Sequence, residues 1–364
     1  MAGIYRAAGK LICPRAPSCA VSMKVAVVGV GRWGFNHVRV LSEIRKMHNE
    51  VGLEDLVVVD TDKARAKYVA GVFGAKWAAD VGELLSEHVD AAIVAVPTVH
   101  HYSVAAKLLP HMDVMVEKPI AANLEEAKAM GELAEREGRL LAVGHIERFN
   151  PVVPALKERL RSDPERIVGI SAQRIGPGPP SNYTLNLGVA HDLLVHDVDV
   201  ACYLLESLPN QVIAKAHWNE HGLETDIVAI YSFDEKDALG EFRASWRASP
   251  NLKRRSLTVQ LESKIVEIDY ILQVITFEKG LLEHKSKGEY SEIISTYTSR
   301  SRESWSLLGV RKEPLLLEDL HFLRCVQRKE RPINSWEEGF KALKCVVRAI
   351  ESAKTGRAVS IDWE

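Results

Sequence analysis

Three short stretches carry the residues able to do chemistry in this chain. Gly29-Val30-Gly31-Arg32-Trp33-Gly34 follows the β-branched run Val25–Val28, Glu117-Lys118-Pro119 ends the run Val114–Val116, and Asp192, His196 and Asp199 stand four and three apart among apolar residues. Glycines at that spacing suit a strand-to-helix turn, where backbone N–H groups and the helix N-terminus hold a dinucleotide pyrophosphate. Arg32 and Trp33 lie inside the turn, placed to flank it. A further run, Leu56–Val59, ends at Asp60, at the distance downstream where an acid accepts hydrogen bonds from adenosine ribose hydroxyls. Asp60 and Asp62 would repel a 2′-phosphate, so NAD is expected rather than NADP. The plainer use of Asp60 is to cap the helix that follows.

Lys118 belongs at the carboxyl end of a strand, where ligands collect in a parallel sheet. Most lysines are solvated surface charges, but Pro119 restricts the backbone here and favours one direction for the side chain. On a helix, Asp192, His196 and Asp199 project from one face. The surrounding Leu193, Leu194, Val195, Val198, Val200 and Leu204 would bury that face, which is costly unless its polar groups pair with each other or open on a ligand cavity. When an alcohol is oxidised by NAD its hydroxyl proton must leave with the hydride, and His196 is the natural base near neutral pH. Asp192 would orient it or bind substrate, and Lys118 would stabilise the developing alkoxide. A structural Asp192–His196 pair is the alternative.

These residues need two kinds of scaffold. From Met23 to about Gly144 short apolar runs alternate with amphipathic stretches, the βαβα texture of a doubly wound parallel sheet whose strands are covered on both faces. After a helix at Val152–Arg161, strand patterns follow at Ile167–Arg174, Gln211–Trp218, Asp226–Phe233, Gly240–Trp246, Ser256–Leu261, Ile265–Tyr270 and Gln273–Glu278, interrupted by a helix at Asp192–Leu205. This is an open, mainly antiparallel sheet with a helix layer, and two helices close the chain at Leu316–Arg328 and Trp336–Lys354. The expected organisation is an N-terminal tail (1–22), a dinucleotide domain (23–149) and an α+β domain for substrate binding and oligomerisation (150–364). Residues 281–312, rich in Ser, Lys, Glu and Thr, read as a long loop.

Composition narrows the function classes. With 364 residues, 46% hydrophobic, and a net charge of −2, the chain can bury two cores and lacks the basic surface that nucleic acid requires. No apolar run nears the roughly 20 residues that span a bilayer. Five cysteines without a C-x-x-C pair fit a cytoplasmic chain with free thiols and no metal, although Cys325 and Cys345 on consecutive helices invite a pairing. Arg6, Lys10 and Arg15 without an acid give the first 22 residues the bias of a transit peptide, or of a tail outside the fold.

In these same marks, the Rossmann glycines, the Glu-Lys-Pro tripeptide and the Asp-x-x-x-His helix, the chain resembles the glucose-fructose oxidoreductase, inositol dehydrogenase and MocA superfamily over residues 23–362. Within it, Val96-Pro97-Thr98 with His101, Gly144-His145-Ile146-Glu147-Arg148-Phe149-Asn150-Pro151, Gly176-Pro177-Gly178-Pro179-Pro180 and Glu313-Pro314-Leu315 resemble the UDP-N-acetylglucosamine 3-dehydrogenase group. The resemblance implies that Pro97, Thr98, His101, Glu117 and Lys118 contact NAD, and that Lys118 and His196 share hydroxyl deprotonation, either serving as base. It implies oxidation of a nucleotide-sugar ring hydroxyl, as in UDP-N-acetylglucosamine, by a homodimer or homotetramer. An inositol or free-sugar dehydrogenase and a catalytically silent NAD-binding regulator are the competing readings. Ser181, where the pattern leads one to expect arginine, departs from the group, as do the polar residues through Asn186. An anionic diphosphate needs cations: Lys253-Arg254-Arg255 and Arg174 would supply them, unless the turn is merely solvated. Arg148 and Asn150, at the domain junction, are expected within reach of nicotinamide and sugar.

Overall fold

The computed structural model describes residues 22–179, 187–280, 300–307 and 313–363. The tail up to residue 21, Ser181–Asn186 and most of the 281–312 stretch lie outside the described residues.

The first sheet is six-stranded and wholly parallel, in the order β3-β2-β1-β4-β5-β6. Its strands are β1 (Met23–Val28), β2 (Leu53–Val59), β3 (Lys76–Ala78), β4 (Ala91–Val94), β5 (Asp113–Glu117) and β6 (Leu141–Gly144). Around it lie α1 (Arg32–Met47), α2 (Lys63–Phe73), α3 (Val81–Leu85), α4 (His101–Leu108) and α5 (Leu124–Glu137). Alternate residues of β1 feed two cores: Val25 and Val27 pack on one face of the sheet, Ala26 and Val28 on the other. Burial on both faces explains the unbroken apolar runs. Strand order reverses between β1 and β4, which opens the crevice at the carboxyl ends where the glycine turn and Lys118 sit.

After α6 (Val152–Ser162) the second sheet comprises β7 (Ile167–Ile175), β8 (Gln211–Trp218), β9 (Glu224–Phe233), β10 (Ala238–Ser245), β11 (Arg254–Leu261), β12 (Lys264–Asp269), β13 (Val274–Gly280), β14 (Arg300–Ser306) and β15 (Val359–Ser360). Its order is β14-β13-β12-β11-β7-β10-β9-β8-β15, antiparallel except where β10 runs parallel to β7. One face packs on α7 (Val195–Leu205) and on part of α9 (Trp336–Thr355).

Three features depart from expectation. Residues 300–306 pair with β13 along their whole length, so the long loop contains a strand; edge position, where one face of pairing is free, tolerates its charged sequence. Short β3 was not anticipated either. Finally α8 (Pro314–Val326) leaves the second sheet and buries Leu315, Leu316, Leu320, Phe322 and Leu323 against α1 and the first sheet. Cys325 and Cys345 are both buried free thiols, as is Cys202.

Candidate active site

Each glycine of the turn has its own physical reason. Gly29 has φ +85°, and a Cβ there would lie 2.7 Å from Val96. One on Gly34 would stand 1.8 Å from the Gly29 carbonyl oxygen, whereas on Gly31 it would meet nothing within 4 Å. Gly31 thus leaves open the approach to the N-terminus of α1, whose first N–H groups have no side-chain cap and no acid in the first turn. That is a cradle for an anion, and it fits a dinucleotide pyrophosphate. Asp60 is not the helix cap. Asp62 is, accepting from the Ala64 and Arg65 amides, while the Asp60 carboxylate accepts from the amides of Val30 and Asp62, each at 2.9 Å. Asp60 is thereby fixed at the end of β2 beside the turn.

Pro97 and Thr98 lie just past β4, in and before a single 3₁₀ turn. His101 lies inside the fold. Its ring is buried, with Nδ1 3.0 Å from the Pro119 carbonyl oxygen and Nε2 3.0 Å from that of Val96. It ties the end of β4 to the Lys118–Pro119 segment, whose peptide bond is cis.

At the end of β5, Glu117 turns back toward α1 and Lys118 turns across the crevice. Gly144 makes room for the former, since a Cβ there would sit 2.7 Å from Glu117 Oε1. Lys118 Nζ donates to Asp192 Oδ1 at 2.9 Å and to the Asp192 carbonyl at 2.7 Å, and the Trp246 indole holds the other Asp192 oxygen at 3.1 Å. Asp192 lies in a π-helical turn, Ala190–Leu194, that runs into α7; such turns re-aim side chains and recur at functional sites. Burial raises its carboxyl, but Lys118 and Trp246 outweigh this and hold it below the usual range. His196 follows on α7, buried, its Nδ1 without a partner among the described residues. Burial first, then the charges of Lys118 and Arg174, push it well below the ordinary histidine value. At neutral pH it is an uncharged imidazole beside an ammonium, able to accept a proton.

The remaining candidates divide. Arg148 faces inward, with two bonds to Asp199 at 2.7 and 2.9 Å and one to Glu338 at 2.9 Å. Asp199 is therefore consumed in the interior and does not join Asp192 and His196 at the site. Asn150 donates to Glu147 and to the Tyr270 carbonyl. Arg174, 1% exposed, binds Asp197 at 2.7 Å and Glu147 at 2.6 Å. These three side chains are buried and bond to partners within the protein, as buried charges and amides must, while Arg174 Nη2 and Asn150 Oδ1 have no partner among the described residues. Lys253 and Arg254 are exposed. Arg255 is exposed as well, its side chain at 43%, but it stands opposite Arg174 on the helix-facing side of β11 and 3.7 Å from Glu147. Sequence reasoning missed Trp246, which anchors Asp192, and the buried His37, Glu318 and Asp319 behind Glu117. The i, i+4 spacing of Trp33 and His37 was the one available signal.

Two family models cover most of the chain. An oxidoreductase family with an NAD-binding Rossmann fold (GFO_IDH_MocA) matches residues 23–145, and its C-terminal alpha/beta domain matches residues 182–361. The scyllo-inositol 2-dehydrogenase (NAD(+)) of Bacillus subtilis strain 168 is 26% identical over 93% of this chain and 96% of its own. The UDP-N-acetylglucosamine 3-dehydrogenase of Acidithiobacillus ferrooxidans is 30% identical over 53% of this chain and 58% of its own. The solved structure of the latter enzyme, GnnA, has a TM-score of 0.77 at 22% identity, covering 92% of this chain and 98% of that one. A levoglucosan dehydrogenase complex with NADH and levoglucosan gives 0.80 at 17% identity, covering 93% and 99%. With both of its domains matched, the chain belongs to the Gfo/Idh/MocA family of NAD-binding oxidoreductases.

Proposed function

We propose that this protein oxidises a ring hydroxyl of a sugar or cyclic polyol, and that its substrate is a nucleotide-activated amino sugar such as UDP-N-acetylglucosamine, oxidised at C3. The observation that carries the chemistry is the Lys118–Asp192 pair spanning the crevice, with an uncharged His196 beside it. Bound NAD supplies the hydride acceptor. Gly29, Gly31, Gly34 and the first turn of α1 would hold its pyrophosphate, and Asp60 the adenosine ribose. Trp33, Arg32, Pro97, Thr98 and Glu117 would line the rest of that crevice. Asp192 holds the Lys118 ammonium toward the substrate hydroxyl, where its charge stabilises the developing alkoxide. His196, an uncharged imidazole under the influence of Lys118, takes the proton.

Arg255 supports the nucleotide-sugar reading, being a half-exposed guanidinium at the cleft end of β11 with Lys253 at the preceding turn. The commitment of Arg148 and Arg174 to internal pairs favours a second reading, a free cyclic polyol, which agrees with the inositol dehydrogenases that align over nearly the whole chain. Incubation with NAD and a panel of UDP-sugars and inositols, followed by NADH absorbance, separates the two. Turnover of UDP-N-acetylglucosamine with a KM that rises in Arg255→Ala while kcat holds supports the first. Turnover of inositols alone selects the second, and no turnover with any alcohol would leave the silent NAD-binding regulator.

A further inference from the structure

A hydrogen-bonded array runs from the crevice into the interior of the first domain. Glu117 Oε1 accepts from Trp33 Nε1 at 2.6 Å and faces His37 Nε2 at 3.0 Å, while His37 Nδ1 faces Asp319 Oδ1 at 2.9 Å. Trp33 and His37 stand four apart on α1, and Asp319 comes from α8. The other Glu117 oxygen accepts the Lys118 amide at 3.2 Å. His37 and Asp319 are wholly buried and Glu117 nearly so. An imidazole with a carboxylate at each nitrogen donates twice only as imidazolium. Burial opposes that charge, but Asp319 and Glu117 outweigh it and hold His37 well above the ordinary histidine value. The third carboxyl near the array, Glu318 on α8, is fully buried without a hydrogen-bond partner among the described residues. Burial and the Glu117 charge raise it well above the carboxylate range, which favours its neutral form. Of the charges acting on Glu117, the remaining cation is Lys118.

We propose that His37 and Asp319 are positioning residues for Lys118: by binding Glu117 they keep its carboxylate on α1 and leave the adjacent ammonium to Asp192. Without the His37 charge, the cation left to Glu117 is Lys118, and two carboxylates compete for one ammonium. Because the same carboxylate holds the Trp33 indole, the array also joins the glycine turn to the lysine. The inference rests on the role given to Lys118 above.

Nitrogen-15 histidine labelling of the wild-type protein tests the charge state directly. One imidazole is expected to keep both ring nitrogens protonated well above pH 6.5, the ordinary histidine value, and its signal to vanish in His37→Gln. Asp319→Asn removes one of the two carboxylates, so His37 should lose its proton as pH rises. NAD affinity by titration calorimetry and kcat should then each fall roughly tenfold from pH 6.5 to the alkaline side, while wild type stays flat over that range. A purely structural role would lower Tm and leave those profiles parallel to wild type. Profiles that superimpose on wild type, or no persistent imidazolium in the wild-type protein, would overturn the inference, and the latter result needs no variant to fold. Full turnover in Lys118→Ala would instead overturn the reading of Lys118, since the imidazolium and NAD-affinity readouts involve no substrate.

Discussion

At the scale of single residues, charge and burial together decide what each polar group can do. His196 accepts a proton only as neutral imidazole, and burial with Lys118 and Arg174 drives its pKa well below 6.5. The acid limb of kcat/KM should therefore lie on the acid side of 6.5, and a pH–rate profile with an inflection at the ordinary histidine value would contradict the environment described. The same depression makes neutral His196 a contributor to stability above pH 6.5 that is lost as pH falls below it. Arg174 tells the opposite story. With Asp197 and Glu147 buried against it, Arg174→Met should destabilise the fold by about 3–5 kcal/mol, read as a loss in denaturation midpoint with KM nearly unchanged. Lys118, Asp192 and the glycines were legible in the sequence because their neighbours in the chain define their setting. Arg148 and Arg174 were not, because Asp197, Asp199 and Glu338 reach them only through the fold. An arginine looks the same in a sequence whether its partner is a substrate or an aspartate.

Elements were legible where periodicity was strong. Both faces of β1, β4 and β5 are covered, so their apolar runs announce them, and Asn123 marks the start of α5 by accepting the Glu126 amide. Strands β3 and β14 escaped because edge strands need little apolar sequence, and Arg300–Ser306 is mostly polar. The site depends on an element whose sequence shows its helical period but not its destination. Helix α8 docks Leu320 and Leu323 on α1 and delivers Asp319 to His37. Leu320→Ala should cost about 2–5 kcal/mol, measurable by urea unfolding, and should loosen NAD binding with it; a change below about 0.5 kcal/mol would mean the helix is not part of the first core.

For the whole molecule, the second sheet exposes apolar side chains on one face among the described residues. Ile213 on β8 stands opposite Ile230 on β9, and Ser232, Leu239, Gly169, Gln260 and Ile265 follow in register across β9, β10, β7, β11 and β12. Ile213, Ile230, Leu239 and Ile265 are each 42–57% exposed. Four exposed apolar side chains on one sheet face favour self-association, so sedimentation should give a dimer or tetramer, and Ile230→Lys with Leu239→Lys should shift it toward monomer; a wild-type monomer at micromolar concentration would refute this. Among the described residues no helix is long and apolar enough to cross a membrane. The two domains meet at one pair of side chains that matters above the others, the Lys118 ammonium from the first and the Asp192 carboxylate from the second. We propose that this pair, with His196, removes the proton of a ring hydroxyl as NAD is reduced. Single-turnover formation of NADH, with enzyme in excess over the accepted substrate, tests it most directly. Lys118→Ala and His196→Ala should each slow that step by about 10²-fold or more, with NAD affinity nearly unchanged in His196→Ala. Wild-type rates in both variants would contradict a role for Lys118 and His196 in removing the proton.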